Sequence, residues 1–254
     1  MLFCGIAGKW NATESRTRMK QNFLLEITVE SVEAARAAER AGADRIELCA
    51  DLNSGGVTPR AETMQKFHAA LHIPVYSMIR PRAGDFVYTP AEVAVMKSEI
   101  RMAQDSRMDG VVFGLLRADG TVDIEVTREL VEFSRPLPVT FHRAFDVSAN
   151  LGRALEAVIS TGAQRILTSG GARSAPEGAL VLRSLVEAAG QRIIVMPGAG
   201  IRPDNFAVVR RSTAAREFHA GLGSVLPYGG TDYTQFEAQV RAMTQEKYSP
   251  PTKN

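Results

Sequence analysis

The 254-residue sequence predicts a single-domain (β/α)8 (TIM) barrel, an α/β fold, and three observations lead to this class. Short apolar runs alternate with helical patterns from residue 23 onward, which is typical of a parallel sheet with crossover helices. Eight such units follow one another, whereas an open doubly wound sheet usually has fewer strands and a Gly-x-Gly-x-x-Gly motif after the first. Barrels of about this length form one domain.

The elements are predicted from apolar runs and from helix start and stop signals. The strands are expected at 23–28, 44–49, 74–80, 110–115, 138–143, 164–168, 192–197 and 216–220. The helices are expected at 31–41, 60–70, 90–106, 123–134, 150–161, 176–189, 203–212 and 232–246. Ser31 precedes the first helical run, and Thr58–Pro59 and Thr89–Pro90 place a capping residue before a proline at the first helical position. Gly42 and Gly162 stand where helices should end.

Composition does not shift along the chain, so the barrel is assigned to residues 22–248. Residues 1–21 are interpreted as an N-terminal extension that is poorly ordered, and 249–254 as a C-terminal tail. Residues 34–46 resemble residues 154–166, with arginine and isoleucine at matching positions. By the strand count these segments are four units apart, which is the spacing of a half-barrel repeat.

Charge and cysteine usage favour a soluble cytoplasmic protein. The net charge is +2 without a long Lys/Arg run, which indicates a mixed-sign surface rather than a nucleic-acid-binding one. Cys4 and Cys49 are the two cysteines and form no CxxC pair, so no disulfide framework is expected. No window approaches a membrane span or a signal peptide. We therefore expect a reducing compartment and neither a membrane nor a nucleic acid as partner.

Strand alternation places ionisable side chains inside the predicted barrel. If the apolar positions of each strand pack on the helices, the inward positions include Glu26, Glu47, Arg80, His142 and His219. Barrel interiors are usually filled by Val, Ile and Leu, and buried charges are costly unless paired. Convergence of such groups from different strands is typical of a barrel active site. The alternative is that some form stabilising salt bridges, above all Glu217 at the start of strand eight.

The loops that follow the strands add polar residues and glycines. Such loops can bind an anion through guanidinium groups and backbone N–H groups, although glycine also serves any tight turn. The candidate anion-binding or substrate-binding residues are Arg82, Asp85, Arg143, Asp146, Ser169, Gly170, Gly171, Gly198 and Gly200.

Several segments of the sequence resemble the signature blocks of the CutC family. They include RIELCADLNSGGVTP, MIRPRAGDFVY, LPVTFHRAFD and EFHAG, and the similarity runs from about Phe23 to about Leu226. The resemblance implies a cytoplasmic (β/α)8 barrel that self-associates into a homo-oligomer and takes part in copper homeostasis, a role that is disputed and comes with no settled catalytic activity. The cysteine proposed as a copper ligand in some members aligns with Cys49, whereas the second such cysteine has no evident match here.

Two kinds of function fit these residues. As a copper protein, the chain would bind Cu(I) through Cys49 and Met78, with His142 or His219 as a nitrogen donor. The simpler interpretation is that Cys49 and Met78 only pack in the interior.

As an enzyme, the chain would act on a small anionic metabolite, phosphorylated or carboxylated. Glu26 or Glu47 would be a general base, and His142 or His219 an acid or base. Arg80 and Arg82 would orient the anion with the glycine loops. The reaction class stays open among isomerisation, aldol-type cleavage and hydrolysis, and a purely structural protein is the third possibility.

Overall fold

The computed structural model describes residues 23–227 and 230–248 and shows eight parallel strands surrounded by eight helices. The predicted extension at 1–21 with Cys4, the first barrel residue at 22 and the tail at 249–254 lie outside the described residues. Their assignment stays a prediction. Within the described part of the chain, no helix is both long and apolar enough to cross a bilayer.

Strands and helices alternate throughout, as predicted. The strands are β1 (Leu24–Val29), β2 (Arg45–Leu48), β3 (Val75–Met78), β4 (Gly110–Phe113), β5 (Val139–Phe141), β6 (Arg165–Thr168), β7 (Ile194–Pro197) and β8 (Glu217–Ala220). The helices are α1 (Val32–Arg40), α2 (Ala61–Ala70), α3 (Pro90–Asp105), α4 (Ile124–Phe133), α5 (Leu151–Thr161), α6 (Ala179–Ala189), α7 (Pro203–Thr213) and α8 (Thr234–Thr244).

The strands form one nearly closed barrel. The hydrogen-bonded order is β7-β6-β5-β4-β3-β2-β1-β8, and β7 also contacts β8, so the sheet curls back on itself. In this register Glu26 lies beside Arg45 on one side and beside His219 on the other. The ladder therefore gathers charged residues from β1, β2 and β8 at one level of the interior.

Local capping explains most helix boundaries and corrects one prediction. Ser31 caps α1 through Ala34 N, and Thr89 and Glu92 form a capping box before α3. The prediction that Thr58 caps the second helix is wrong, because α2 begins at Ala61 with Arg60 at the N-cap. Thr58 Oγ1 instead accepts a hydrogen bond from Arg80 N at 2.7 Å and thereby helps to position the end of β3.

The hydrophobic core lies between the barrel and its helices. Outward-facing strand residues such as Leu25, Ile27 and Ile46 are fully buried against the apolar faces of the helices. The strands β2, β3 and β5 end earlier than predicted, so Cys49, Arg80 and His142 lie just past their ends and not within them. All three side chains remain buried.

Candidate functional site

The floor of the barrel interior is an ion-pair network that closes the amino ends of the strands. Arg45 pairs with Glu26 and, at 2.7 Å, with Glu217, and Arg165 binds the same Glu217 oxygen at 2.7 Å. Both guanidinium groups lie over the Tyr76 ring, 4.8 and 5.2 Å from its centroid. These charges are therefore paired with one another, which is compatible with the alternative that Glu217 forms a salt bridge.

Above the floor, Glu26, His219 and Glu47 form a cluster of buried ionisable groups. Glu26 Oε1 lies 2.7 Å from His219 Nδ1, and His219 Nε2 lies 3.9 Å from Glu47 Oε2. One ligand atom from each residue falls within 4.8 Å of the others, which is a geometry that could hold a metal ion. We call these three residues the Glu–His–Glu cluster.

The environment drives the pKa values of the two carboxyl groups apart. Burial favours the neutral form of Glu26, but Arg45 and His219 outweigh it and lower the pKa of Glu26 to about 2. Burial raises the pKa of Glu47, and the charge of Glu26 adds to this effect. For His219, burial opposes the charged form, but Glu47 and Glu26 raise its pKa overall. The raised pKa values of both Glu47 and His219 make this pair a candidate for proton transfer.

The sulfur-bearing side chains lie next to this cluster. Cys49 Sγ is 3.6 Å from Glu47 Oε2 and 3.7 Å from Thr28 Oγ1, and Cys49 packs with Met78 in a small buried group. Burial and the nearby Glu47 carboxyl raise the pKa of the Cys49 thiol well above its usual value. The thiol is therefore protonated, whereas Cu(I) is held by thiolates. Cys49 is the one cysteine among the described residues.

At the carboxyl ends of the strands, Arg80 is a buried cation held by carbonyl groups. Its Nη1 donates to Gly56 O at 3.0 Å and Ser54 O at 3.3 Å, and its Nη2 donates to Gly84 O at 2.8 Å. Its guanidinium carbon lies 5.0 Å from the centroid of the Phe86 ring. Within residues 23–227 and 230–248, no carboxylate pairs with Arg80.

His142 also packs against Phe86, with a ring-centroid distance of 4.9 Å. Its Nδ1 accepts a hydrogen bond from Ala144 N at 3.2 Å, so the neutral ring carries its proton on Nε2. Burial, together with the positive charge of Arg80, lowers the pKa of His142 to about 3. Gly114 makes room for this ring, because a Cβ there would lie 2.6 Å from His142 Nδ1.

Four buried polar atoms of inward-facing residues have no hydrogen-bond partner among the described residues. They are Glu47 Oε1, Arg80 Nε, Thr140 Oγ1 and His142 Nε2. Buried polar atoms are rarely left without a partner, and such exceptions are frequent in binding and catalytic sites. Glu47, Arg80 and His142 are each buried, and the prediction that they form one site stays a prediction.

Two of the predicted anion-binding residues are engaged with neighbours in the third loop. Arg82 Nη2 pairs with Asp85 at 2.9 Å, and its Nε pairs with Glu92 at 2.5 Å. The Arg82 side chain is about one-third exposed, and that of Asp85 is mostly exposed. These contacts order the loop before α3, and the structure does not bring either residue to Arg80 or His142 by a hydrogen bond.

The glycine loops also use many of their groups internally. Asp146 accepts hydrogen bonds from Ser169 and Gly171, and Arg143 pairs with Asp146. The other predicted loop members contribute backbone contacts. Gly170 N donates to Thr168 Oγ1 at 2.8 Å, Gly198 N donates to Thr168 O at 2.9 Å, and Gly200 O accepts from Asn205 Nδ2 at 2.9 Å.

Sequence reasoning missed Arg45, Arg165 and Phe86. Arg45 and Arg165 occupy matching positions of the half-barrel repeat, and alternation with Ile46 and Ile166 would have placed both inside. Phe86 gave no signal, because an aromatic residue in a loop after a strand is compatible with many environments.

This fold and this arrangement define a class: (β/α)8 barrel proteins with a polar interior that opens at the carboxyl ends of the strands. Solved structures of that class resemble the chain. N-(5'-phosphoribosyl)anthranilate isomerase from Pyrococcus furiosus matches with a TM-score of 0.59 at 15% identity, over 89% of this chain and 98% of that one. At this identity the likeness concerns the fold alone.

The family follows from closer matches, and the chain belongs to the CutC family, whose model matches residues 23–224. A Homo sapiens protein named copper homeostasis protein cutC homolog is 47% identical over 207 residues, covering 82% of this chain and 76% of that protein. A CutC family protein of Agrobacterium fabrum is 49% identical, covering 81% of each chain. The structure titled putative copper homeostasis protein CutC from Streptococcus agalactiae has a TM-score of 0.74 at 31% identity, over 78% of this chain and 98% of that one.

Proposed function

We propose that the mouth of the barrel, at the carboxyl ends of the strands beside Arg80 and His142, binds a small anionic metabolite. In this proposal the Glu–His–Glu cluster exchanges a proton with the metabolite. Arg80 supplies the positive charge for the anion, and His142 Nε2–H donates a hydrogen bond. Glu47 and His219 carry the proton, and Glu26 orients His219.

The observation that carries the proposal is the buried charge of Arg80 without a carboxylate partner among the described residues. The other guanidinium groups of the interior, Arg45 and Arg165, are both paired with Glu217. A buried cation is costly unless an anion compensates it. An anionic ligand at the mouth provides that compensation, and Arg80 is well suited to bind a carboxylate or phosphate because of its planar set of donors.

The neutral state of His142 and the raised pKa of Glu47 support the acid–base role. A neutral imidazole donates from Nε2 without adding a second positive charge beside Arg80. Glu47 Oε1 has no hydrogen-bond partner within the described part of the chain, so this oxygen can accept a proton from a ligand. Ionisable groups with shifted pKa values in a buried cluster are frequent in acid–base sites.

The test is a screen of phosphorylated and carboxylated metabolites for thermal stabilisation of the full-length protein. At least one is expected to raise the melting temperature of the wild type. Arg80→Gln is expected to remove the shift, because losing a charge-assisted contact weakens binding by about 10-fold or more. Arg80→Lys, which keeps the charge but not the planar donors, should retain part of it.

Arg117→Gln is the matched control, since Arg117 is a half-exposed arginine in the loop after β4, at the same end of the barrel. It should bind the metabolite as the wild type does. An unchanged shift in Arg80→Gln, or a screen in which no anionic metabolite stabilises the wild type, contradicts the proposal.

Copper homeostasis is the second candidate function, favoured by the names of the relatives and by the Glu–His–Glu cluster, which could hold a metal. In this proposal copper is the cargo, and Cys49 and Met78 are the sulfur donors beside Glu47. The donor set fits Cu(I) poorly while the Cys49 thiol is protonated. Binding would require loss of that proton and should strengthen as pH rises.

Copper binding is tested by titrating reduced full-length protein with Cu(I) in competition with a chelator. If copper is bound through the proposed donors, one equivalent binds and Cys49→Ala abolishes binding. Cys4→Ala is the control for the other cysteine of the sequence. Unchanged binding in Cys49→Ala would remove this site, and weak binding throughout would leave the metabolite function as the better account.

We also propose, from the family resemblance, that the protein acts in the cytoplasm as a homo-oligomer. The free, buried thiol of Cys49 is compatible with a reducing compartment.

A further inference from the structure

Asp146 belongs to the short 3-10 helix after β5, and its nearly buried carboxylate binds the loop after β6. Its Oδ1 accepts hydrogen bonds from Thr168 Oγ1 at 2.5 Å, Ser169 N at 2.9 Å and Gly171 N at 3.1 Å. Its Oδ2 accepts from Ser169 Oγ at 3.0 Å, from Ser169 N at 3.1 Å and from Arg143 Nε at 2.8 Å.

These donors are the kind that proteins use to hold a phosphate. Two backbone N–H groups of the glycine loop, those of Ser169 and Gly171, converge on one anion together with the Thr168 hydroxyl and the Arg143 guanidinium. The loop lies at the carboxyl ends of the strands, beside the loop after β7, which together with the loop after β8 frequently forms a phosphate site in such barrels. Here the anion is a carboxylate of the same chain.

Glycine residues give the loop the backbone conformation in which its donors face this anion. Gly170 and Gly171 both have φ of +74°, a conformation that favours glycine. Gly178 lets the start of α6 approach the loop, because a Cβ there would lie 1.9 Å from Ser169 O. These glycines allow the tight turn in which the loop donors face the Asp146 carboxylate.

We infer that Asp146 is a specificity-determining residue that occupies a phosphate-binding loop and excludes phosphate from it. The inference rests on the proposed function and narrows its substrate class. The metabolite places no phosphate group in this loop, and Arg80 and His142 recognise its charge. The loop after β6 lines one side of the mouth and does not bind the charged group of the ligand.

The test uses inorganic phosphate as the probe and full-length Asp146→Ala as the variant. Removing the carboxylate frees Arg143, Ser169 and Gly171 as donors, so phosphate should bind at least about tenfold more tightly than to the wild type. Titration calorimetry at neutral pH measures the change. If Asp146→Ala does not fold, Asp146→Asn is the second variant, because it keeps the side-chain volume but not the charge. Phosphate should raise the melting temperature of Asp146→Asn more than that of the wild type.

Asp119→Ala is the matched control, because Asp119 is an exposed aspartate in the loop after β4 at the same end of the barrel. It should bind phosphate no better than the wild type. Equal gains in Asp119→Ala, no gain in either Asp146 variant, or tight phosphate binding to the wild-type loop each overturn the inference. The outcome is separate from that of the metabolite screen, since a gain of phosphate binding in Asp146→Ala requires neither Arg80 nor an identified metabolite.

Discussion

Replacing Arg45 by methionine is expected to destabilise the protein by about 3–5 kcal/mol, which is the usual cost of breaking a buried ion pair from one side. The change leaves the fully buried Glu26 without its guanidinium partner and removes one of the two arginines on Glu217. Methionine fills similar volume, so the loss reports the uncompensated charge more than a cavity. The measurement is the free energy of unfolding from denaturant titration followed by circular dichroism.

Arg40→Met is the control, because Arg40 makes a salt bridge to Glu237 with a side chain that is more than half exposed. Exposed pairs contribute about 0–1 kcal/mol, so this variant should stay close to the wild type. Adding Glu26→Gln to Arg45→Met should restore part of the loss by removing the unpaired carboxylate. Equal stability of Arg45→Met and Arg40→Met would show that the floor network does not stabilise the barrel.

Acidification from pH 7 to about pH 5 is expected to remove about 2 kcal/mol of stability through His142 alone. The folded protein holds the pKa of this imidazole at about 3, whereas the ordinary value is 6.5. Below pH 6.5 the unfolded chain takes up a proton that the folded protein does not. The stability contribution is therefore complete above pH 6.5 and declines by about 1.4 kcal/mol per pH unit below it.

The raised pKa of His219 acts in the opposite direction, because its charged form stabilises the fold at low pH and that contribution is lost as pH rises. Comparison of the wild type with His142→Asn cancels this effect. The variant should lose about 2 kcal/mol less than the wild type over the same pH range. His72→Asn, at an almost fully exposed histidine, should follow the wild type. Parallel pH profiles for His142→Asn and the wild type would contradict a neutral, buried His142.

The barrel could be predicted from the sequence because the pattern that produces it, an apolar strand followed by a helix, repeats along the chain. Apolar runs such as 23–28 and capping signals such as Ser31 and Thr89 recur at each unit, and alternation then orients the strands. The same alternation placed Glu26 and Glu47 inside. It failed at Thr58, because the hydroxyl group binds the end of β3 and not the helix that follows.

The partners of the site residues could not be predicted, since they depend on distances between strands and loops far apart in the chain. Arg82 and Arg80 look equivalent in the segment RPRAGD, but one lies at the surface with Glu92 and Asp85 and the other lies against Phe86. Asp146 was expected to bind a ligand with the loop after β6. In the structure the Asp146 carboxylate itself accepts hydrogen bonds from that loop.

The proposed function requires that the mouth of the barrel is a binding site. A crystal structure of the wild type with a metabolite that stabilises it tests this requirement most directly. We expect the anionic group of the ligand within hydrogen-bond distance of Arg80 and of His142 Nε2, with Glu47 facing the ligand from below. Electron density for the ligand outside the barrel, or inside it without contact to Arg80 and His142, would contradict this account.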